Sequence, residues 1–498
     1  MKKITILIFA ILLLLSCTND FNPKFYGTLT SDNFPTTKSE YEAYMLTVYD
    51  PFLANWGYSF VNWQYGWYVP ELGSVECFDM CSDEMVQYNA WGGHWAIISS
   101  GDFSSLTTQA VSGCHFEKVR DITRDSKIIY DLENASSSIL SDTVKNGFVA
   151  EAKLARGVNM YFLLHLYGPV PVILDGSKVS DVTALATMVR PSRTDFVTAI
   201  ESDLTYAVNH LSTTASNYGR FTKGTALTYL MRLYMNEKNF TKAEAVGRQI
   251  VGMNQYSLVS DYTSLFEEAT EKNSETIWAL TCQNNGNNDF NFLTIYCMPS
   301  TISLNKINAG WGSTNGGVFS MSWPFYDTFE SGDLRKNCLV TSYTDKSDPT
   351  KTWDRTNLTG AVINKYPALG GSMNSAQGND IVACRYADVL LMLAEAINEN
   401  SGPTAEAIGY VNQIRNRAGL ANLGSSATAS TEALRYAIFM ERGHEFFFEG
   451  LRKMDMRRMG YWTSSYMDQY NKTIGSYYWP IPNYVMNNYP TMTQNYTE

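Results

Sequence analysis

Apolar residues recur at helical spacing in four stretches of the chain and lose that spacing in two others. Tyr41, Tyr44, Met45 and Val48 set the period over 39–53. It returns from Phe116, and over 148–166 Phe148, Ala152, Ala155, Phe162, Leu163 and Leu166 lie close to one stripe, which Gly168-Pro169 ends. Ala226, Leu230 and Leu233 precede the polar turn Asn236 to Asn239, after which Phe240, Ala243, Val246 and Ile250 resume the period. Val389, Leu390, Leu393, Ala396 and Ile397 precede Asn400 to Pro403; Ile408, Val411 and Ile414 follow, and Gly419 supplies a stop. A helix, a turn of about four residues and an antiparallel helix form the unit of a tetratricopeptide-like array, although the full repeat does not recur in tandem. Residues 54–113 and 282–380 carry no period and read as long irregular loops. Unstructured stretches of that length in a folded domain usually serve function.

The N-terminus has a different pattern. Lys2 and Lys3 precede an apolar run from Ile4 to Leu15, too short to span a bilayer comfortably. This is the form of a secretory signal. Leu14-Leu15-Ser16-Cys17 resembles a bacterial lipobox, in which the signal is cut before a cysteine whose sulfur carries lipid. The expectation is a signal peptide at 1–16, a lipid-anchored tether at 17–38 marked by Pro23, Gly27 and Pro35, and a single domain over 39–498. No other apolar run reaches membrane-spanning length, so the mature chain is expected to be anchored rather than to span.

Composition narrows the function. The chain has 498 residues, 45 % hydrophobic and 17 % charged, enough to bury a core. A net charge of −11 argues against nucleic-acid binding, which needs a basic face. The aromatic content, 13 %, exceeds what a core normally needs and points to a stacking surface. Beyond Cys17, seven scattered cysteines make a poor disulfide framework. Cys77 and Cys81, even with His94 and His115 near them, match no standard zinc spacing, so no metal and no cofactor is expected.

Catalytic signals are weak. Glu441, Glu445 and Glu449 are spaced to share one helix face, with Arg442, Arg452, Arg457 and Arg458 around them. Paired carboxylates can do glycosidase chemistry, but a row of like charges more often exists to meet arginines. His444-Glu445 opens like a metalloprotease motif, yet residue 448 is Phe where the second ligand would stand. There is no Gly-x-Ser-x-Gly elbow and no phosphate-binding P-loop.

A series of short motifs then falls in a telling order. It comprises Glu151 to Gly157, Tyr167 to Pro171, Asp203-Leu204, Tyr218 to Gly224, Asn273 to Trp278 and Gly332 to Arg335, followed by Arg385 to Leu391, Glu441 to Arg452, Trp479 to Pro482 and Gln494-Asn495. With the lipobox, this order resembles the SusD/RagB family of outer-membrane, nutrient-binding lipoproteins of Bacteroidetes, along nearly the whole mature chain. The resemblance implies an all-α fold: a tetratricopeptide-like α-superhelix of four helix pairs, decorated by a loop-rich part that carries the ligand site. It implies a location at the cell outer membrane, facing the surface, and a SusC-like TonB-dependent transporter as partner, to which oligosaccharide is passed.

Sugar rings present C–H faces that pack on indole and phenol planes, while their hydroxyls need amide and carboxylate partners. The two aperiodic segments hold both kinds of residue. The candidate ligand-binding set is Asp83, Asn89, Trp91 and Trp95 from the first, and Tyr296, Trp311, Asn315 and Trp323 from the second. Further rings stand at Trp56, Trp63, Trp67, Tyr68, Tyr88, Phe290 and Phe292. The leading expectation is a non-catalytic glycan-binding lipoprotein for nutrient uptake. A surface glycoside hydrolase using Asp79, Asp83 or the Glu441 row, and a tetratricopeptide-like scaffold binding only proteins, are the rivals.

Overall fold

In a computed structural model of the chain, the described residues are 34–53, 73–86, 94–108, 115–181, 189–283, 291, 293–303, 312–367, 377–489 and 491–494. They divide into two units between Tyr44 and Met45. In the first, Glu40 Oε2 accepts from Thr36 N and Thr37 N at 2.7 and 2.9 Å, which satisfies amides at the start of helix α1 (Lys38–Leu46).

The second unit is built on eight helices in series. They are α2 (Lys118–Glu133), α3 (Asp142–Tyr167), α4 (Arg193–His210), α5 (Lys223–Asn236), α6 (Phe240–Gly252), α7 (Tyr386–Ser401), α8 (Ala405–Arg417) and α9 (Thr431–Phe446). Each packs on the next, which gives the four pairs of a tetratricopeptide-like array. A shorter helix, α10 (Arg452–Met459), packs on α9. The starts are fixed by side chains that take up orphan amides: Ser192 for α4, Thr222 with Thr225 for α5, Asn239 for α6, Thr404 for α8 and Ser430 for α9. The close approach of α6 to its neighbours requires Gly247, where a Cβ would stand 2.6 Å from Met231 Cε and 3.1 Å from Leu393 Cδ1.

Helix α3 is longer than its apolar stripe. Every residue from Phe148 to Tyr167 except Lys153 is buried, so the helix has hardly any solvent face to define a period. Its polar residues find partners inside: Arg156 meets Asp203 through two hydrogen bonds of 2.7 and 2.8 Å.

The segments without a period are more regular than expected. Residues 282–380 contain a buried one-turn helix at Leu293–Cys297 and short strands. Strand β1 (Thr276–Leu280) pairs antiparallel with β7 (Ile381–Arg385), across the whole of this insertion. Within it, β6 (Ala361–Ile363) lies between β2 (Ser320–Met321) and β3 (Leu339–Val340), while β4 (Tyr343–Thr344) pairs with β5 (Thr352–Trp353). Strands of two or three residues are too short to show alternation. In the first segment, Val75–Asp79, His94–Ser100 and Ser104–Thr108 are helical turns.

The glutamate row also differs from expectation. Helix α9 ends at Phe446, and Phe448 turns the chain with φ 64°, so Glu449 lies past the helix that carries Glu441 and Glu445. The cations that meet the three come from distant segments. Arg335 bonds Glu441 at 2.7 Å and Glu445 at 3.3 Å, and Arg415 bonds Glu441 at 3.2 Å. Arg385 and Arg417 both reach Glu445 and Glu275. Arg385 and Lys365 hold Glu449 at 2.8 and 2.6 Å. The nearby arginines serve other carboxylates: Arg442 meets Asp388 and Asp455, Arg458 meets Glu395 and Asp455, and Arg452 meets Asp83. Burial alone would raise the Glu445 carboxyl, but Arg417, Arg385 and Arg335 outweigh it and hold the group well below the usual range.

A loop-borne aromatic surface as candidate functional site

The second loop-rich segment folds back along itself. Gly312 N donates to Met298 O (3.0 Å), Ser300 N to Ser313 O (3.0 Å) and Val318 N to Tyr296 O (2.6 Å). The 82–86 stretch of the first segment joins it: Val86 N donates to Ser320 O (3.1 Å), and Ser322 N to Glu84 O (2.7 Å). Backbone pairing therefore brings the two segments predicted to carry the site into one place.

Ser322 ends this run and starts a one-turn helix, Trp323–Tyr326. Its Oγ accepts from Phe325 N at 3.2 Å and donates to Asp83 O at 2.8 Å. The half-buried Trp323 indole is fixed in plane by Nε1–H, which donates to Leu358 O at 3.1 Å. Arg355 lies 5.0 Å from the ring centroid and Tyr326 stands edge-on at 5.7 Å. Arg355 forms a bidentate pair with Asp327, Nη1 to Oδ1 at 2.6 Å and Nη2 to Oδ2 at 2.5 Å, with both side chains about half exposed. The hydrogen bonds from Arg355 hold the Asp327 carboxyl below its ordinary value, so it stays ionised as an acceptor.

Asn315 is joined to this surface through the residue after Leu358. Thr359 N and Oγ1 donate to Asn315 O at 2.9 and 3.2 Å. Asn315 Oδ1 accepts from Ser313 Oγ at 2.9 Å. Asn315 and Trp323 thus share one rim.

Three other candidates lie beneath it. Trp95 and Tyr296 are each 1 % exposed and pack with Phe319, at centroid distances of 5.6 and 6.0 Å. Phe448 continues the cluster at 5.3 Å from Phe319. Asp83 is fully buried, with both carboxylate oxygens on Arg452 at 2.8 Å. These residues support the surface from below, which revises the expectation that they face a ligand. Asn89, Trp91 and Trp311 lie outside the described residues, as do Trp56, Trp63, Trp67, Tyr68, Tyr88, Phe290, Phe292 and Cys17.

Sequence reading missed the rings that adjoin this rim. Helix Trp323–Tyr326 packs on the turn Asp468–Tyr470. From Tyr470 a line of tyrosines runs through Tyr466, Tyr461 and Tyr436 with centroid spacings of 5.4, 5.3 and 5.8 Å. Tyr436 is 48 % exposed. The available signal was the run of Tyr, Trp and Ser over 461–470, outside the two segments singled out as loops.

The carboxylates weighed for catalysis are all committed elsewhere. Asp79 accepts from Gly450 N at 2.6 Å and Arg452 N at 3.1 Å, and burial pushes it up to about 7. Cys77 Sγ lies 3.4 Å from His115 Nε2, with Cys81 on the next turn. Among the described residues no group of three or more His, Cys, Asp or Glu is arranged to hold a metal. Nor is any described helix long and apolar enough to cross a membrane.

The architecture is that of a tetratricopeptide-like array bearing a loop-built aromatic surface. Two family models match the chain: the SusD family over residues 336–475, and "Starch-binding associating with outer membrane" over 82–235. Together these matches support a SusD/RagB family protein. It is 26 % identical over 336 residues to SusD-like protein P2 of Formosa agariphila, a match spanning 63 % of this chain and 65 % of that relative. A SusD superfamily protein from Bacteroides vulgatus superposes with a TM-score of 0.74 at 22 % identity, over 92 % of this chain and 99 % of that one. Surface glycan-binding protein A from Bacteroides thetaiotaomicron, solved in complex with laminarihexaose, gives 0.71 at 20 % identity, over 92 % and 100 %.

Proposed function

We propose that the protein is a cell-surface glycan-binding lipoprotein that captures oligosaccharide and delivers it, without catalysis, to a SusC-like TonB-dependent transporter in the outer membrane. The observation that carries this reading is Trp323. Its indole is partly buried and locked in plane, with the Asp327–Arg355 pair beside it to meet hydroxyls. Asn315 shares its rim, and the loops bearing Asn89, Trp91 and Trp311 belong to the same two segments. Family membership and the glycan complex of a structural neighbour support the ligand class. The buried, fully engaged Asp83, Glu441 and Glu445 support a binding rather than a hydrolytic role. The lipobox ending at Cys17 supports anchoring at the outer membrane.

A glycan array that includes laminarihexaose and starch-derived oligosaccharides, followed by calorimetry on wild type and Trp323→Ala, tests the reading. The expected result is a saturable glycan whose affinity falls in the variant. Failure of every glycan to bind would overturn it.

A further inference from the structure

The aromatic surface does not end at the Trp323 turn. Asp83 holds two pieces of it at once. Its backbone oxygen receives the hydroxyl of Ser322, which starts the Trp323 helix, and its carboxylate Oδ2 receives the hydroxyl of Tyr466, each at 2.8 Å. One buried residue therefore fixes the place of Tyr466 relative to Trp323. Arg452 grips the same carboxylate and lies 3.7 Å from the centroid of Phe439, which in turn stacks on Tyr461 at 4.2 Å and 25°. Tyr470 completes the near end: its hydroxyl is 3.4 Å from that of Tyr466, and its turn packs on Trp323–Tyr326.

The strip so built is open along its length. Tyr470, Tyr466 and Tyr461 are each partly exposed, and Tyr436 on α9 is 48 % exposed. Single large rings on a surface are ordinary. Here successive rings touch, at 5.4, 5.3 and 5.8 Å, and the row adjoins Trp323 and Tyr326, which makes a continuous aromatic face. Tyrosines supply such contact area at little entropic cost. The same turn exposes Ser464, Ser465, Asp468 and Gln469 between the rings. The run 461–470 has no Leu, Ile or Val to dock an apolar partner. Rings with small polar groups between them match a sugar chain, which offers C–H faces and hydroxyls in alternation.

We propose that the strip from Tyr470 to Tyr436 is a further run of sugar subsites continuous with the Trp323 rim, so that the ligand is a glycan chain long enough to lie across both. The ligand class rests on the glycan-binding reading above; the length follows from the strip. A short sugar is held at the Trp323 end, where the Asp327–Arg355 pair stands. A longer chain adds one ring contact after another and reaches Tyr436 last.

The test is calorimetry on the detergent-solubilised full chain with two pairs of probes, laminaribiose with laminarihexaose and maltose with maltoheptaose. In the series that binds, the longer probe should bind about tenfold or more tightly than its disaccharide. Tyr436→Ala, at an exposed helix position that favours alanine, should hold the melting temperature and weaken the longer probe by about tenfold, with the disaccharide unchanged. Tyr436→Gln, also at home in a helix, should behave the same. Tyr436→Phe keeps the ring and should bind as wild type. Trp323→Ala should weaken both lengths. Equal affinity for the two lengths in wild type, or a longer probe that neither Tyr436→Ala nor Tyr436→Gln weakens, overturns the strip and leaves the Trp323 site standing. Equal weakening of both lengths by these variants overturns it too, because the ring would then act through the fold. If neither series binds wild type at any length, the glycan reading falls and the strip falls with it.

Discussion

Arg452 grips Asp83 through two parallel hydrogen bonds of 2.8 Å across 369 positions of the chain. The pair joins the start of α10 to the loop whose backbone oxygen receives Ser322, and so sits directly under the Trp323 turn. Asp83→Asn would strand a guanidinium that is 2 % exposed. Such a loss should cost ~3–5 kcal/mol, measured by urea unfolding. Arg452→Met added to Asp83→Asn should recover part of it. An Asp83→Asn protein as stable as wild type would show that the pair is not holding this region.

The two tryptophans divide by burial. Trp95→Ala opens a hole beside Tyr296 and Phe319 and should cost ~3–5 kcal/mol in stability. Trp323→Ala should cost clearly less stability than Trp95→Ala and weaken glycan binding by ~1–3 kcal/mol. Thermal melts and calorimetry on both variants check this. The opposite assignment of effects would mean that the ligand reaches the deeper ring.

Glu76 makes stability depend on pH. It is 1 % exposed, its Oε1 has no hydrogen-bond partner among the described residues, and burial pushes its carboxyl up to about 8 against a smaller pull from Lys118. Unfolded, it ionises near 4.5. Between those values the folded chain keeps a proton that the unfolded chain has lost, so this group's contribution falls as pH rises and levels off above about 8. Glu76→Gln removes the dependence. Its melting temperature relative to wild type should therefore be higher at pH 8.5 than at pH 5.5. An equal difference at the two pH values would rule out this titration.

Cys17→Ala removes the only thiol at the expected cleavage point. The variant should stay unprocessed or leave the outer-membrane fraction. Membrane fractionation with a lipid-incorporation assay reads the outcome, and retention equal to wild type would count against the anchor.

Delivery requires a receiver. A TonB-dependent transporter should co-purify with the protein in mild detergent, through an interface well above ~1,000 Å². Repeated purifications with no such transporter would count against the delivery step.

The helical array was legible because its hairpins announce themselves twice, by apolar spacing and by polar turns such as Asn236 to Asn239 and Asn400 to Pro403. The length of α3 was not, because a helix buried on nearly every side has no polar face to outline it. The strands of the insertion escaped notice for their brevity, and β1 with β7 because about a hundred residues separate them. The candidate aromatics were picked by type and loop context. That cannot distinguish Trp95, locked under Phe319, from Trp323, which reaches the rim. Depth is set by pairings such as Val86 with Ser320, which leave no mark in local sequence. The glutamate row was rightly read as an ion network, yet its partners were drawn from neighbours in sequence when the fold brings them from Arg335, Arg385, Arg415 and Arg417.

That network has a consequence in time. Hairpins α5/α6 and α7/α8 close on neighbours in sequence, but Glu275 must wait for Arg417, 142 positions later, and Arg385 for Glu445, 60 positions later. Contacts between such distant segments form late in folding. While the chain is incomplete the early hairpins would therefore stand assembled, with their interior arginines lacking most of their carboxylates. Only the arrival of α9 closes the set. A chain halted before Glu441 should remain loose and be cleaved by proteases sooner than the full chain, so the ion cluster works as a latch that closes only on the completed molecule.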